Sequence, residues 1–476
     1  MVGGGITGLV AAHTLHSRGA TPVLIERSAR LGGKVLTENV DGFIIEAGPD
    51  SFVAAKGSVV DLAAELGIAD RIISSRTEHR GSYVWWRNRL HPLPDGLLLM
   101  APSRLGPMLG TSLLSPRGKL RLLADLFLPR RDDQSDESLE SFVTRRLGRE
   151  VLDRIAEPLI AGIHASEPRF MSLQASFPRF PEMEREYRSL ILAARAMAKR
   201  PTPAGGLSYF ASFRAGMGEL TTALLAEMTG VGKRLGVAVT RLIDDAGRYR
   251  LDLSDRTTIT ADGVVLAAPA RDAAVLLTEL SLEAGEAVAA IGQVATATVT
   301  VAYRAGELPS LRGSGFVVPA EGQRRILGVS YLSQKWGGRV PDDRFALMRA
   351  FVGGPRNQEL ALADEEHLES VVLSELATLV GITAQPLLRR VHRWEGGLHQ
   401  YTLGHLDRVA DAESALAAHP GVALAGAAFH GIGLNECVSS GRRAAEKVLA
   451  GISQANRPRF RSDMDARSSG SPISGR

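Results

Sequence analysis

Hydrophobic residues recur with two different spacings in this chain, and the spacing changes from region to region. After Gly8 the apolar positions follow a helical period, and residues 21–26 then form a short apolar run that ends in an acid. A period of two, typical of half-buried strands, occurs in places in residues 296–303, 315–319 and 345–352. The pattern therefore predicts an α/β protein that combines a helix-flanked sheet with an alternating, mostly antiparallel sheet.

The stretch from residue 111 to residue 204 is predominantly helical by pattern. A helix is expected to begin at Ser138, and a second one is expected over residues 187–199. Residues 201–206 are rich in Pro and Gly and are expected to link this stretch to the next region.

Composition and charge exclude several classes of protein. The chain has 476 residues, of which 45% are hydrophobic and 23% charged, so wholesale disorder is excluded. Its single cysteine, Cys437, excludes an intrachain disulfide and a thiolate metal cluster. The net charge is +4, but residues 453–476 carry five arginines and only two aspartates. The remainder is nearly neutral, so we expect no nucleic-acid partner and interpret residues 453–476 as a disordered tail.

Targeting signals are also missing from the pattern. Residues 287–303 alternate and contain Gln293, which suits a strand better than a membrane span. No signal peptide precedes the first motif, and we expect a cytoplasmic protein. The apolar residues 95–110 are interrupted by Pro and Gly. They could line a ligand pocket or contact a membrane surface, and the pocket is favoured.

A phosphate-binding turn opens the chain. Gly3, Gly5 and Gly8 have the G-x-G-x-x-G spacing of a dinucleotide-binding βαβ unit, in which glycines permit a tight turn and close approach to a pyrophosphate. The following helix would direct its positive N-terminus at that group. Glu26 ends the next strand, 18 residues past Gly8, where an acid binds an unphosphorylated ribose. FAD or NAD is therefore favoured over NADP.

The strand before this turn is too short for a Rossmann unit. Only Met1 and Val2 precede Gly3, whereas a buried strand of about five residues is expected there. We therefore expect the natural start to lie upstream.

Further glycine segments favour FAD over NAD. Gly32 and Gly33 lie between cations after the second strand, Gly48 follows a third strand, and Gly426 follows a strand near the far end. The predicted cofactor-binding residues are Gly3, Gly4, Gly5, Ile6, Thr7, Gly8, Glu26, Arg27, Gly32, Gly33, Lys34, Gly48, Pro49, Asp50, Ser51, Val239, Ala268, Trp394, Gly426, Ile432, Gly433 and Leu434.

Several longer stretches are more specific than any glycine turn. They are GPDSF (48–52), LHPLP (90–94), EPLIAGI (157–163), MEREYRSLI (183–191), QYTLGH (400–405) and GIGLNEC (431–437). Through them the chain, from residue 3 to about residue 450, resembles the protoporphyrinogen oxidase and coproporphyrinogen III oxidase family of the amine-oxidase-like flavoproteins. The resemblance implies non-covalent FAD and a six-electron, oxygen-consuming oxidation of a porphyrinogen in haem biosynthesis.

Within that family, one position favours coproporphyrinogen III. Animal and plant members carry a propionate-binding arginine where this chain has Ser82, so the chain looks closer to the Gram-positive coproporphyrinogen III oxidases. Protoporphyrinogen IX is the alternative substrate, and a flavin amine oxidase is a more distant alternative. A flavin-binding scaffold without turnover is a further possibility. The resemblance also leaves open a transient contact with a chelatase and a peripheral contact with a membrane.

The family chemistry requires a flat apolar slot that holds one meso carbon over flavin N5. No general base is nominated, because tautomerisation can carry protons around the macrocycle, and no metal is expected, since the histidines lack ligand partners at suitable spacing. The resemblance implies that the slot residues are Gly162, Phe316, Val317, Leu327 and Phe351. Candidate carboxylate partners are Arg188, Arg393, Arg80 and Arg87.

The expected fold class is α/β, with a Rossmann-type FAD-binding domain interleaved with a mixed, mostly antiparallel substrate-binding sheet domain and a helical domain. The expected boundaries are 1–78, 205–285 and 386–452 for the FAD-binding domain, 79–110 and 286–385 for the substrate-binding domain, 111–204 for the helical domain and 453–476 for the tail.

Overall fold

A computed structural model describes most of the chain. The described residues are 1–98, 100–133, 135–199 and 207–455. The predicted linker at 201–206 and the tail from residue 456 onward lie outside them, while residues 453–455 belong to the last helix.

Strands and helices alternate along the described residues. The strands, β1 to β21 in chain order, are Val23–Glu26, Thr37–Val40, Phe43–Glu46, Phe52–Val53, Ile72–Ser74, Tyr83–Trp86, Arg89–Pro92, Leu97–Leu98, Ala101–Pro102, Phe210–Phe213, Gly232–Leu235, Val239–Asp245, Arg248–Leu253, Thr258–Ala261, Val264–Leu266, Gln293–Arg304, Gly315–Val317, Gly328–Ser330, Phe345–Gly353, Leu388–His399 and Val422–Leu424. The α-helices, α1 to α18 in chain order, are Ile6–Ser17, Ser58–Glu65, Leu105–Gly110, Pro116–Leu123, Leu139–Arg146, Arg149–Val151, Glu157–His164, Leu173–Ser176, Arg179–Tyr187, Leu190–Met197, Gly218–Glu227, Ala270–Thr278, Leu282–Ala289, Leu332–Lys335, Gln358–Leu362, Glu365–Val380, His405–Ala415 and Leu434–Ala455.

A small parallel sheet carries the glycine-rich start of the chain. β1 pairs with β11, β15 pairs with β21, and Val2 bridges Ile25 of β1 and Leu266 of β15 in parallel. The spatial order is therefore β11, β1, Val2, β15, β21. One face is covered by α1, α2, α11 and α18, whose apolar positions form one core cluster. The other is covered by the β12–β13–β14 meander with α12, α13 and α17. This is the predicted Rossmann-type arrangement.

A seven-stranded sheet forms the second layer of the molecule. Its order is β20-β16-β19-β18-β17-β6-β7, and β17 with β6 is its one parallel pair among the described residues. The predicted alternating stretches are β16, β17 and β19. β20 forms one edge of this sheet, so residues 388–399 belong to it, although they were expected in the FAD-binding part. The other boundaries of the three-region division stay a prediction.

The alternation of these strands separates two faces of the seven-stranded sheet. Side chains of one set, including Trp85, Phe316 and Ala350, pack in a core cluster with α15 and α16, and we call this the helix face. The opposite set lies in one directly paired row across six strands, and we call its side the inner face. The row is Val84, Val317, Gly328, Phe351, Thr298 and His392.

The helical region packs around a buried ion pair. Ser138 caps α5 by accepting the Ser141 N–H at 3.1 Å, as predicted. The helix predicted over 187–199 is shorter than expected, because Arg188 takes a left-handed conformation (φ 64°) that separates α9 from α10. Arg146 is fully buried and donates its Nε–H to Asp125 Oδ1 at 2.7 Å.

Asp125→Asn is expected to destabilise the fold strongly. The substitution removes the closer of the two carboxylates that balance the buried Arg146 guanidinium and leaves only Glu184, at 3.4 Å, which costs about 3–5 kcal/mol of unfolding free energy. Asp133→Asn is the matched control, since its pair with Arg131 is exposed and such pairs contribute about 0–1 kcal/mol. Urea unfolding of both variants measures the difference. Equal losses of unfolding free energy in the two variants would contradict a structural role for the buried pair.

Candidate active site

The glycine turn and the acid predicted to bind ribose lie in direct contact. The Gly4 N–H donates to Glu26 Oε2 at 2.7 Å, and the Ser28 N–H donates to Oε1 at 2.8 Å. Gly3 has a φ of 99° and passes so close to β15 that a Cβ would lie 2.6 Å from the Ala267 carbonyl oxygen and 3.1 Å from the Ala268 nitrogen. Glu26 is thereby fixed beside the turn, with Ala268 on its other side.

The second glycine segment rests on the first. The Gly32 N–H donates to the Gly4 carbonyl at 2.8 Å, and a Cβ on Gly33 would lie 2.9 Å from Gly5 Cα. By contrast, a Cβ on Gly5 would have no protein atom within 4 Å among the described residues. The backbone at Gly5 is therefore open on one side and can be approached closely by a pyrophosphate at the N-terminus of α1.

A third segment, residues 46–50, connects the glycine segments with the sheet. A Cβ on Gly48 would collide with the Lys34 carbonyl. On its other side the Ala47 carbonyl accepts the Trp394 Nε1–H at 3.1 Å and the Thr298 hydroxyl at 3.2 Å. The inner face of the seven-stranded sheet is thereby fixed to the cofactor-binding segments.

The C-terminal glycine turn is held by an aromatic pair. Tyr401 accepts the Gly431 N–H at 2.7 Å and donates to the Ala427 carbonyl at 2.9 Å. His405 stacks on Tyr401 with 3.8 Å between ring centroids. Ile432 and Gly433 complete the turn, and α18 begins at Leu434.

Helix α18 packs against the N-terminus of α1 at Thr7. The Gly426 N–H donates to Ser440 of α18 at 3.0 Å, and a Cβ on Gly426 would have Thr7 Oγ1 as its nearest atom. A Cβ on Gly441 would lie 2.5 Å from the Thr7 carbonyl oxygen, so α18 approaches α1 closely here. The N-terminus of α1 directs partial positive charge to this place, which favours an anionic group there.

Cys437 lies at this junction and is not reactive. The thiol is buried, and burial raises its pKa to about 11 despite a hydrogen bond with Thr7 and the nearby Lys34 ammonium. A thiol in this state is protonated at neutral pH and is a poor nucleophile. Burial also lowers the pKa of Lys34, whose Nζ donates to the Gly396 carbonyl at 3.3 Å.

The structure brings together several of the predicted slot residues. A Cβ on Gly162 of α7 would meet Val317 Cγ1 at 3.5 Å and no other described atom within 4 Å. Val317 and Phe351 lie in the same row of the inner face, separated by Gly328, which has no side chain. The Leu327 N–H donates to the Phe351 carbonyl at 2.8 Å. The row therefore leaves a depression between Val317 and Phe351, opposite Gly162.

Phe316 does not belong to this depression, which corrects the prediction. It precedes Val317 on β17, and consecutive strand residues point to opposite faces. Its ring is buried on the helix face and lies edge-on to the ring of Tyr331, with 6.2 Å between the ring centroids.

The candidate carboxylate partners are scattered. Arg188 is exposed on the helical region and donates to the Leu126 carbonyl at 3.0 Å. Arg393 pairs with Ala297, whose side chain lies on the helix face, so Arg393 also faces away from the depression. The Arg87 guanidinium lies over the Trp86 ring, with its Cζ 4.3 Å from the ring centroid, and Arg80 is exposed. The structure brings none of these four to the Gly162–Val317 contact, so the carboxylate-binding role of Arg188 and the others stays a prediction.

Other predicted cofactor residues are occupied by protein contacts. Arg27 pairs with Asp272 at 3.0 Å on the surface, and Val239 begins β12. Asp50 follows Pro49 and is buried. Burial alone would raise its pKa, but Lys335 and Arg349 together lower it well below its usual range. Ser51 donates to Asp50 at 2.8 Å.

Sequence reasoning missed the buried charges around Asp50. They are Glu46, Lys335, Arg339 and Arg349. No local motif marks them, because their partners lie about 300 positions apart in the chain. The sequence indicates burial only for Arg349, because apolar residues flank it on both sides in β19.

Acid is expected to destabilise this region through three histidines. Burial lowers the pKa of His399 to about 3 and the pKa values of His164 and His405 to about 4, from an ordinary value of 6.5. The unfolded chain therefore binds more protons below pH 6.5, so stability is present above that pH and is lost as pH falls toward 4. The contribution of each histidine to the free energy of unfolding should fall by roughly 2 kcal/mol between pH 7 and pH 5.

Denaturant unfolding at several pH values tests this expectation. In His405→Gln, the fall in unfolding free energy between pH 7 and pH 5 should be smaller than in the parent by about the contribution of one histidine. An unchanged dependence in His405→Gln would show that His405 is not buried in its neutral form.

Known proteins share this architecture over nearly the whole chain. Residues 6–449 match the family described as flavin containing amine oxidoreductase. The coproporphyrinogen III oxidase of Bacillus subtilis is 32% identical over 94% of this chain and 97% of its own length. The protoporphyrinogen oxidase of Bos taurus is 32% identical over 94% of this chain and 98% of its own length.

Solved structures agree with these matches. A protein of Exiguobacterium sp., provisionally assigned as a protoporphyrinogen oxidase, has a TM-score of 0.84 and 32% identity, covering 94% of this chain and 98% of that one. A reduced UDP-galactopyranose mutase, at 18% identity and a TM-score of 0.69 over 94% of each chain, shares the fold. The predicted fold class and the predicted FAD cofactor are confirmed. The chain belongs to the flavin-containing amine oxidoreductases and, within them, to the family of protoporphyrinogen and coproporphyrinogen III oxidases.

Proposed function

We propose that this protein oxidises coproporphyrinogen III to coproporphyrin III, with non-covalent FAD as cofactor and dioxygen as the final acceptor. The B. subtilis relative bears the name of this activity, as do relatives from Propionibacterium freudenreichii and Staphylococcus aureus at 34% and 29% identity. Protoporphyrinogen IX is the alternative substrate, supported by the Bos taurus relative.

The observation that carries the proposal is the close approach of Gly162 to Val317, whose Cγ1 would lie 3.5 Å from a Cβ on Gly162. They lie 155 positions apart, and they face each other at the inner face, to which the cofactor-binding segment 46–48 is fixed. The depression between Val317 and Phe351 is apolar and has Gly328 as its floor. The apolar face of a tetrapyrrole macrocycle fits such a surface.

The residues present also fit FAD. The glycine turn with α1 would hold the pyrophosphate, Glu26 the ribose, and the segments around Lys34, Gly48 and Gly431 the rest of the cofactor. The protonated, buried thiol of Cys437 supports non-covalent binding. When bound, FAD supplies the hydride acceptor for oxidation of a meso carbon.

The chain's own contribution is orientation and exclusion of water. Gly162 leaves room for the ring, while Val317 and Phe351 offer apolar contact to hold it in a reactive position. His164, His399 and His405 are buried and neutral, and His399 and His405 accept or donate hydrogen bonds within the protein. We assign no general base.

The substrate preference rests on Ser82. Its hydroxyl lies 3.5 Å from that of Ser314, at the position where animal and plant members are expected to carry an arginine. A transient chelatase contact, a peripheral membrane contact and a cytoplasmic location are further proposals. Among the described helices, none combines the length and the apolar character needed to cross a bilayer.

Gly162→Ala is expected to lower turnover without harming the fold. The added methyl makes an ordinary 3.5 Å contact with Val317, so the protein itself accommodates it. It enters the space assigned to the macrocycle, and we expect kcat/KM to fall at least about tenfold, equivalent to about 1.4 kcal/mol. Thermal unfolding and flavin content should stay at the parent values.

Gly306→Ala is the control for Gly162→Ala. A Cβ there meets no described atom within 4 Å, and residue 306 lies in a short 3-10 helix on the surface, away from the depression. Its kcat/KM should match the parent. If Gly162→Ala keeps the turnover of the parent, the placement of the macrocycle beside Gly162 is wrong.

Steady-state rates on both porphyrinogens test the substrate assignment. We expect coproporphyrinogen III to be oxidised with the higher kcat/KM, and its advantage to shrink as salt rises, because four carboxylates depend more on charge pairing than two. A clear preference for protoporphyrinogen IX would establish the alternative instead.

A further inference from the structure

We propose that Arg349 is a positioning residue that fixes the flavin-binding segment 46–48 and the slot residue Phe351 relative to each other. The inference rests on the proposed function for its catalytic consequence. Its structural basis, however, is a set of contacts that does not depend on the identity of the substrate.

Three successive carbonyls of the segment bind side chains of the inner face. Arg349 Nη1 donates to the Glu46 carbonyl at 2.8 Å and to the Gly48 carbonyl at 2.6 Å. The Ala47 carbonyl between them accepts from Thr298 and Trp394. The segment is therefore held at consecutive residues by three neighbouring strands, β16, β19 and β20.

The same guanidinium supports the slot. Its Cζ lies 4.8 Å from the ring centroid of Phe351, two residues along β19 on the same face. A cation over an aromatic face restrains the ring by electrostatic attraction. Arg349 thus contacts both the segment that carries Gly48 and the ring that borders the macrocycle depression.

The planar guanidinium is suited to this task. Arg349 is 2% exposed, and its Nη2 lies 3.6 Å from Asp50 Oδ2, which balances the charge. One rigid plane therefore directs donors to two carbonyls and one carboxylate while its face covers Phe351. A lysine keeps the positive charge but carries its donors on one compact ammonium group, so it cannot reproduce the planar arrangement of donors.

Small displacements between a hydride donor and acceptor have large effects on rate. A shift of about 1 Å can lower a rate on the order of a hundredfold. We therefore expect Arg349 to influence the rate of flavin reduction more than the binding of either FAD or porphyrinogen.

Arg339 provides a matched control in the same buried cluster. It is fully buried, and its guanidinium lies 3.9 Å from Glu46. Its donors, however, bind the Ser212 hydroxyl and the carbonyls of Phe213 and Arg214 at 2.8–3.0 Å. It contacts neither Gly48 nor Phe351 among its described hydrogen bonds and ring contacts.

The experiment compares Arg349→Lys with Arg339→Lys in the FAD-loaded enzyme. Anaerobic mixing with coproporphyrinogen III gives the rate of flavin bleaching, and visible circular dichroism reports the flavin environment. In Arg349→Lys we expect bleaching to slow at least about tenfold, with KM and FAD stoichiometry within about twofold and an altered flavin dichroism. Arg339→Lys should lose thermal stability but keep the parent's bleaching rate and dichroism.

Equal bleaching rates and dichroism in Arg349→Lys and the parent would overturn the proposal. Equal slowing in both lysine variants would also overturn it, because the effect would then be a general consequence of disturbing the cluster. If Arg349→Lys does not fold, Thr298→Val and Trp394→Phe remove the two hydrogen bonds to the Ala47 carbonyl. Their combination should slow bleaching more than either alone, and an unchanged rate in the double variant would contradict the proposal.

The flavin dichroism separates this inference from the proposed function. It needs no porphyrinogen, so an altered spectrum in Arg349→Lys supports the positioning role even if the parent oxidises neither substrate. In that case the substrate assignment fails while the role of Arg349 stands.

Discussion

Close contact between backbone segments is the constraint on which the site depends. Gly33 rests on Gly5, and Gly48 rests on the Lys34 carbonyl, so that the three segments are separated only by main-chain atoms. A side chain at Gly33 or Gly48 would push the segments apart. Because Gly48 is also bound to Arg349 of the sheet, any such displacement would reach the substrate-binding surface. The cofactor cradle and the slot are therefore set by one continuous series of contacts.

The buried charges between the two sheets have a related role. Glu46 and Asp50 approach Lys335, Arg339 and Arg349 in the interior, and burial raises the pKa of Glu46 while it lowers that of Arg339. Burying charges costs free energy unless hydrogen bonds and opposite charges compensate, and here Arg339 and Arg349 donate to main-chain carbonyls of the cofactor-binding part. Such a cluster contributes little net stability, but the bonds from Arg349 to Glu46 and Gly48 define how that segment is placed on the sheet.

The sequence predicted the features that depend on short spacing. Glycine spacing identified the turn at Gly3–Gly8 and the acid Glu26 at the end of the next strand, because a βαβ unit is a local structure. Strand alternation also places Val317 and Phe316 on opposite faces of the sheet, so the sequence itself indicates that only one of the two can face the slot. Arg349 was beyond reach, because its partners at residues 46–50 are distant in the chain. The late start of α10 at Leu190 depends on one left-handed residue, Arg188, which no residue-type preference indicates.

The most direct test of this account is a crystal structure of the FAD-loaded protein with bound coproporphyrin III. We predict that the tetrapyrrole lies on the inner face, with one side against Val317 and Phe351 and with Gly162 within van der Waals contact. A tetrapyrrole bound elsewhere, away from the segment around Gly48, would contradict the assignment of this surface as the substrate site.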